Sequence, residues 1–188
     1  MGRGCRGGER LSCRAVIETY EGFSPEIDPT AFVHAQASVI GKVSIGAESS
    51  IWPHVTMRGD DGRIVIGAQT SVQDGSVVHL TEGLSETIVG NRVTVGHNVT
   101  LHGCVVGDEC IIGMGSTLLD NAHIGRGTIV GAGTVIPMNK QIPEGVLVLG
   151  NPFRVVRPLT DKDRQFIEFS WRSYVEKLKL HRRNKVLG

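Results

Sequence analysis

One aliphatic side chain recurs every sixth residue through most of this chain. Val33, Val39, Ile45, Ile51 and Met57 are spaced by sixes. After three extra residues in RGDDGR the series resumes at Ile66, Val72 and Val78, and after five extra residues in LTEGLSETI at Val89, Val95 and Leu101. One residue is then lost, and Val106, Ile112, Leu118, Ile124, Val130 and Ile136 complete it. Gly often follows the aliphatic residue, as at Gly46, Gly67, Gly90 and Gly107. A small or β-branched residue sits four places on, as at Ser49, Val55, Cys110, Ser116 and Thr128. This is a hexapeptide repeat, the signature of a parallel β-solenoid. Each hexad supplies one short strand and one corner, so three make one coil of a triangular prism with the aliphatic residue on its axis. About seventeen hexads predict between five and six coils over residues 16–158.

After Ile136 the run PMNKQIPEGVLVLGNPFRVVRP reads as a connector punctuated by Pro and Gly. Thr160 can then cap a helix with Asp163 at N3. Ile167, Trp171, Tyr174, Val175 and Leu178 fall on one face of that helix. It is expected over residues 159–181, its apolar face against the prism or a neighbour, with HRRNK as a solvated basic end.

Composition narrows the reading. The chain has 188 residues, a net charge of +1 and 5% aromatic residues. That fits one solenoid domain plus an appendage, with nucleic acid or an anionic membrane disfavoured as the main partner. No apolar stretch approaches the roughly 18 residues of a membrane span. Cys5, Cys13, Cys104 and Cys110 show no CxxC spacing and read as reduced thiols of a cytoplasmic protein. Residues 1–15 are Arg- and Gly-rich, lack a secretory apolar core and read as a disordered basic extension. There is no P-loop, GxSxG or HExxH motif.

Dealing the hexads in order onto three faces places the histidines. The hexads of Met57, Val78, Leu101 and Leu118 share a face. On it, the position after the inward residue holds Arg58, His79 and His102. His79 and His102 are 23 residues apart, one 18-residue coil plus the five-residue loop. They are therefore expected to stack about 4.8 Å apart, close enough to share a metal ion. His97 belongs to the adjoining face, alongside Gln73 one coil earlier. The outer faces of a convex prism diverge, so His97 is expected to serve a metal held with a neighbouring chain, around a threefold axis. Three neutral imidazoles and one open position suit catalytic Zn²⁺, whose bound water has a pKa near about 7. Fe²⁺ and Co²⁺ accept the same ligands. Trp52 and His34 are expected as a stacked outer pair at the interface, His54 and His123 as single outward histidines, and Cys110 as a core residue.

On the motifs MRGDDGRI, SVQDGSVVH, VGHNVTLHG and IGMGSTLLDNAHIG, the chain resembles the γ-class carbonic anhydrase family from about Ile17 to Leu180. The resemblance implies a homotrimer of left-handed β-helices, all-β apart from the C-terminal helix, with a metal at each subunit interface. His79 and His102 would come from one subunit and His97 from the next. It implies reversible hydration of CO₂ to bicarbonate by a metal-bound hydroxide. Gln73 would orient that hydroxide or CO₂, Arg58 and Asp60 would form ion pairs that hold the site, and Asp74 would belong to the same polar shell. Glu82, three residues after His79, would be the proton shuttle, with Asp61 matching another acid of the family by position. Tyr174 matches a tyrosine that approaches the site. Ser71 stands where the family archetype has Asn, and the Glu82 loop is shorter than its acidic loop.

Two other functions compete. A hexapeptide acyltransferase acting on acyl-CoA needs a lone catalytic histidine and no metal, and some short γ-class relatives act as thioesterases. A non-catalytic trimer built into a larger assembly would not need an intact ligand set.

Overall fold

A computed structural model describes residues 15–186, so the expected extension over residues 1–15 falls almost wholly outside the described residues. The chain winds into a left-handed parallel β-helix of three faces, closed by one C-terminal helix. One face stacks seven parallel strands, from Phe32–Val33 through Ser71–Val72 and Thr94–Val95 to Val146–Leu149. The next carries Val77–His79, Thr100–His102, Thr117–Leu118 and Val135–Ile136. The third carries Thr87–Val89, Val105–Val106, His123–Ile124 and Gln141–Ile142. The six-residue register holds at each step: Val72 faces Val95, Val78 faces Leu101, and Val89 faces Val106.

The inward aliphatics fill the axis and most are fully buried. The small inward position is often a hydroxyl. Ser49, Thr70, Ser76 and Ser116 are buried, and each donates to a backbone carbonyl of the following coil at 2.6–3.0 Å. These bonds satisfy polar groups that would otherwise cost stability inside an apolar axis. Cys110 takes the same position with its Sγ 3.2 Å from the Gly125 carbonyl, and Cys104 is buried too. Both thiols are free, and burial pushes both up to about 12. Glycine after the aliphatic residue has a packing reason. A Cβ on Gly67 would lie 2.5 Å from the backbone of Gly90 in the next coil, closer than atoms tolerate.

The repeat runs further than the sequence reading. Ile27 pairs with Ile45 below the first counted hexad, and Ile142 and Val148 lie buried above the last. All three keep the spacing of six, so the expected connector supplies a further coil and there are about seven coils, not five or six. Pro137 and Pro143 sit just after inward aliphatics, where the chain turns and tolerates a proline.

The chain then reverses. Arg154–Pro158 pairs antiparallel with Val146–Leu149 and leads into the helix Asp161–Val186. The capping box forms as expected: the Thr160 N–H donates to Asp163 Oδ2 at 2.7 Å, and the Asp163 N–H to Thr160 Oγ1 at 3.3 Å. The helix runs past residue 181 because Lys and Arg are good helix formers and suit the negative end of its dipole. Ile167, Val175 and Leu178 are buried against the seven-strand face, and Ser170 Oγ lies 3.0 Å from Thr94 Oγ1. Trp52 lies beneath the helix, with ring centres 5.4 Å from Phe32 and 5.9 Å from Tyr174, and its Nε1 donates to Ser50 and Ser71. It thus docks the helix within one chain, one coil after His34, which follows Val33 as Trp52 follows the paired Ile51.

No helix among the described residues is long and apolar enough to cross a membrane.

Candidate metal centre

Both interruptions of the repeat fall at one corner of the prism. The long strand Thr56–Ile66 carries RGDDGR around that corner, and the Leu80–Glu86 segment sits one coil further on. Buried Leu80 packs beneath Gly62, so the two insertions support each other. His79 is the last strand residue before the second insertion, and His102 pairs with it on the next strand.

The two rings meet. His79 Nδ1 lies 3.4 Å from His102 Nε2. Two imidazole nitrogens bound to one tetrahedral Zn²⁺ at 2.0–2.1 Å stand about 3.3 Å apart, so the separation fits a shared ion. The outward nitrogens are occupied by acids. His79 Nε2 donates to Asp60 Oδ1 at 3.1 Å, with Asp61 Oδ2 at 3.3 Å. His102 Nδ1 donates to Asp120 Oδ2 at 3.1 Å. Such carboxylates set the tautomer and aim of metal-binding histidines.

Arg58 closes this half. Its Nη1 pairs with Asp60 Oδ2 at 2.5 Å and lies 3.9 Å from Asp61, and its Nη2 is 3.3 Å from His79 Nδ1. Burial raises the Asp60 carboxyl, but the bonds from Arg58 and His79 outweigh it and hold it below the usual carboxylate value. Asp120 behaves alike: burial raises it, and the bonds from Ser85 and His102 bring it down further. Asp60, Asp61 and His79 also place one donor atom each within 4.8 Å of the others. The Arg58 guanidinium pairs with Asp60 and offsets part of the charge of the two carboxylates, which suits them as partners of His79 rather than as ligands themselves.

The second half lies on the adjoining side. His97 follows Thr94–Val95 at the corner, two residues past the strand, and its Nδ1 lies 3.0 Å from Asp74 Oδ2. It therefore stacks over Asp74 rather than over Gln73, because Val72 and Val95 are the paired residues and both histidine and aspartate stand two places on. The side chain of His97 is 41% exposed. It does not join His79 and His102 within one chain. Gln73 is buried one coil beyond Trp52, and Tyr174 lies over the same face. Burial raises the Tyr174 phenol and the charge of Asp74 adds to it, so at neutral pH it is a hydrogen-bond donor.

The expected residues thus fall into two groups. Arg58, Asp60, His79 and His102 converge on one side, and Gln73, Asp74, His97 and Tyr174 gather on another. Glu82 stands apart at the exposed tip of the turn closed by the Ser85 N–H on the Thr81 carbonyl. The sequence reading missed Asp120 and Ser85. Asp120 was findable, since Leu101 pairs with Leu118 and Asp120 stands two places past Leu118, next to the position over His102. Ser85 was not, since only the loop conformation brings it there.

The family model of the bacterial transferase hexapeptide (six repeats) matches residues 86–120 and 103–137. The chain is 43% identical over 162 residues to a carbonic anhydrase of Geobacillus kaustophilus, covering 86% of this chain and 88% of that protein. It is 40% identical over 178 residues to mitochondrial gamma carbonic anhydrase 1 of Arabidopsis thaliana, covering 92% of this chain. The chain spans 65% of the length of that plant relative. A solved Bacillus cereus structure, described as a candidate acetyltransferase, superposes with a TM-score of 0.88 at 39% identity, over 89% of this chain and 97% of that one. Repeat, fold and identity over most of the chain agree: the chain belongs to the γ-class carbonic anhydrase family.

Proposed function

We propose that this protein hydrates CO₂ reversibly to bicarbonate, at a metal centre completed between copies of the chain in a homotrimer. The observation that carries this reading is the His79–His102 pair, 3.4 Å apart nitrogen to nitrogen, with each ring's other nitrogen on a carboxylate. His97 supplies the third imidazole from a neighbouring chain. In support, it is half-exposed at a corner, out of reach of the other two in its own chain, yet held by Asp74 in the same way.

Bound Zn²⁺, Fe²⁺ or Co²⁺ would supply the Lewis acidity that makes a nucleophile of water near neutral pH. The chain's own groups would do the rest. Asp60, Asp120 and Asp74 keep a proton on the outward nitrogen of each histidine. Gln73 offers an amide to orient the attacking oxygen or CO₂, and Tyr174 remains a donor beside Asp74. Arg58 balances the Asp60 and Asp61 carboxylates and is placed to hold the anionic product. Asp61 Oδ2, beside His79, and the exposed Glu82 are the acceptors that pass the released proton to solvent.

The likeness to the Bacillus cereus protein favours acyl transfer or thioester hydrolysis as the second reading. That chemistry asks for a lone histidine base, and paired histidines in ligand register stand against it. The cytoplasm is the proposed compartment, in keeping with the two buried free thiols, although the plant relative is named mitochondrial.

The test is metal analysis of protein purified without oxygen, then stopped-flow CO₂ hydration with Zn²⁺, Co²⁺ and anaerobically loaded Fe²⁺. About one metal per chain and hydration that rises with pH through an apparent pKa near ~7 support the reading. Absence of hydration with all three ions overturns it, and thioester substrates become the next assay.

A further inference from the structure

We infer that Asp120 is a positioning residue of the metal centre, which presents His102 to the metal in one tautomer and moors the turn that carries Glu82. The inference rests on the metal reading above and deepens it.

The geometry is specific. Asp120 follows the strand Thr117–Leu118 and is only 6% exposed. Its two oxygens have different partners. Oδ2 lies 3.1 Å from His102 Nδ1, and Oδ1 accepts the Ser85 hydroxyl at 2.5 Å. An ionised carboxylate only accepts. The hydrogen of a neutral His102 therefore sits on Nδ1, which leaves the Nε2 lone pair facing His79 Nδ1. Without Asp120 the two tautomers compete, and the one protonated at Nε2 cannot bind a metal there.

The other oxygen reaches into the loop. Ser85 closes the turn at residues 81–85: its N–H donates to the Thr81 carbonyl at 3.2 Å, and its Oγ accepts the Thr81 N–H at 3.3 Å. Glu82 rides on that turn. Gly103 completes the junction. It has φ +64°, and the space a Cβ would take is filled by Asp120 Oδ1 and Ser85 Oγ. Three separate segments thus meet at one carboxylate, which serves the ligand His102 with one oxygen and the loop with the other.

The full-length protein and its Asp120→Ala and Ser85→Ala variants test this. Zinc affinity is measured by chelator competition, loop order by hydrogen exchange of the residue 81–85 amides, and the His102 tautomer by ¹⁵N NMR of the chelator-treated protein. Asp120→Ala should lose about 10- to 100-fold in zinc affinity and exchange faster in the loop. Ser85→Ala should keep zinc affinity within about threefold, since His102 retains its partner, while its loop exchanges faster. NMR of the unmutated chain should find the proton on Nδ1. Should Asp120→Ala fail to fold, Asp120→Asn keeps the volume and removes the charge, and about a tenfold loss is expected of it.

Wild-type affinity in the folded Asp120 variant, or a proton on Nε2 in the unmutated chain, overturns the positioning role. Unchanged loop exchange in Ser85→Ala overturns the mooring. A wild-type protein that binds no divalent metal overturns the metal reading and this inference together, whereas loss confined to the Asp120 variants leaves both standing.

Discussion

His79→Ala and His97→Ala proteins, each defective alone, should rescue one another when mixed. The structure sets the amount. His79 and His102 are paired residues on adjacent strands of one chain, and His97 lies on another side of the prism, held by Asp74. In a cyclic trimer each site then takes its pair from one chain and His97 from the next. The His97→Ala chain still offers a complete pair, and the His79→Ala chain still offers His97. After denaturation and random reassembly at equal amounts, a site is intact when the first chain is His97→Ala and its neighbour is His79→Ala. Each condition is met half the time, so about one quarter of sites regain three imidazoles. Mixing His79→Ala with His102→Ala is the control. No chain then holds both members of the pair, and recovery should be nil. Bound zinc and CO₂ hydration are read together, with native mass spectrometry verifying mixed trimers. No recovery in the first mixture, or equal recovery in the control, would refute the shared site, because either result means that the ligands do not divide between chains in this way.

Four further outcomes follow from particular contacts. Gly103→Ala should destabilise the fold by about 2–4 kcal/mol, from the left-handed backbone and the displaced Ser85–Asp120 bond. That corresponds to a melting temperature lower by roughly 5–15 °C, and an unchanged value in calorimetry would remove the packing argument. Glu82→Ala should lower kcat but not kcat/KM in weak buffer, with rescue by imidazole; a variant equal to wild type would pass proton export to Asp61 or bulk water. The Arg157 guanidinium and the Thr160 cap hold the Asp163 carboxyl well below the usual carboxylate range. A depressed folded-state pKa gives stability that is present at neutral pH and lost as pH falls below the unfolded value near about 4 toward the folded one. The urea midpoint of Asp163→Asn should accordingly lie below wild type at neutral pH and approach it in acid. Cys104 and Cys110, buried with raised pKa values, should resist thiol reagents at pH 8 until the chain is unfolded; peptide mass spectrometry reads their labelling, and rapid modification of the native protein would contradict the packing.

A spacing of six by itself placed most of this molecule. The inward residues from Val33 to Ile136, the three faces and the meeting of His79 with His102 follow from counting. A solenoid's contacts lie one coil away, so sequence distance converts directly into position. The same count would have carried the repeat through Ile142 and Val148, had Pro and Gly not been read as a break; corners need turn residues, so such punctuation belongs to the pattern. Counting fails where the chain leaves the repeat. RGDDGR and the residue 81–85 turn have no fixed rise, and only their folded shapes bring Asp61 to His79 and Ser85 to Asp120. The helix docks over Trp52 by side-chain packing, which no period encodes. The outward direction of His97 was readable from the hexads, but its stacking on Asp74 was settled by the strand register, because one residue of offset at a corner changes which neighbour a side chain meets.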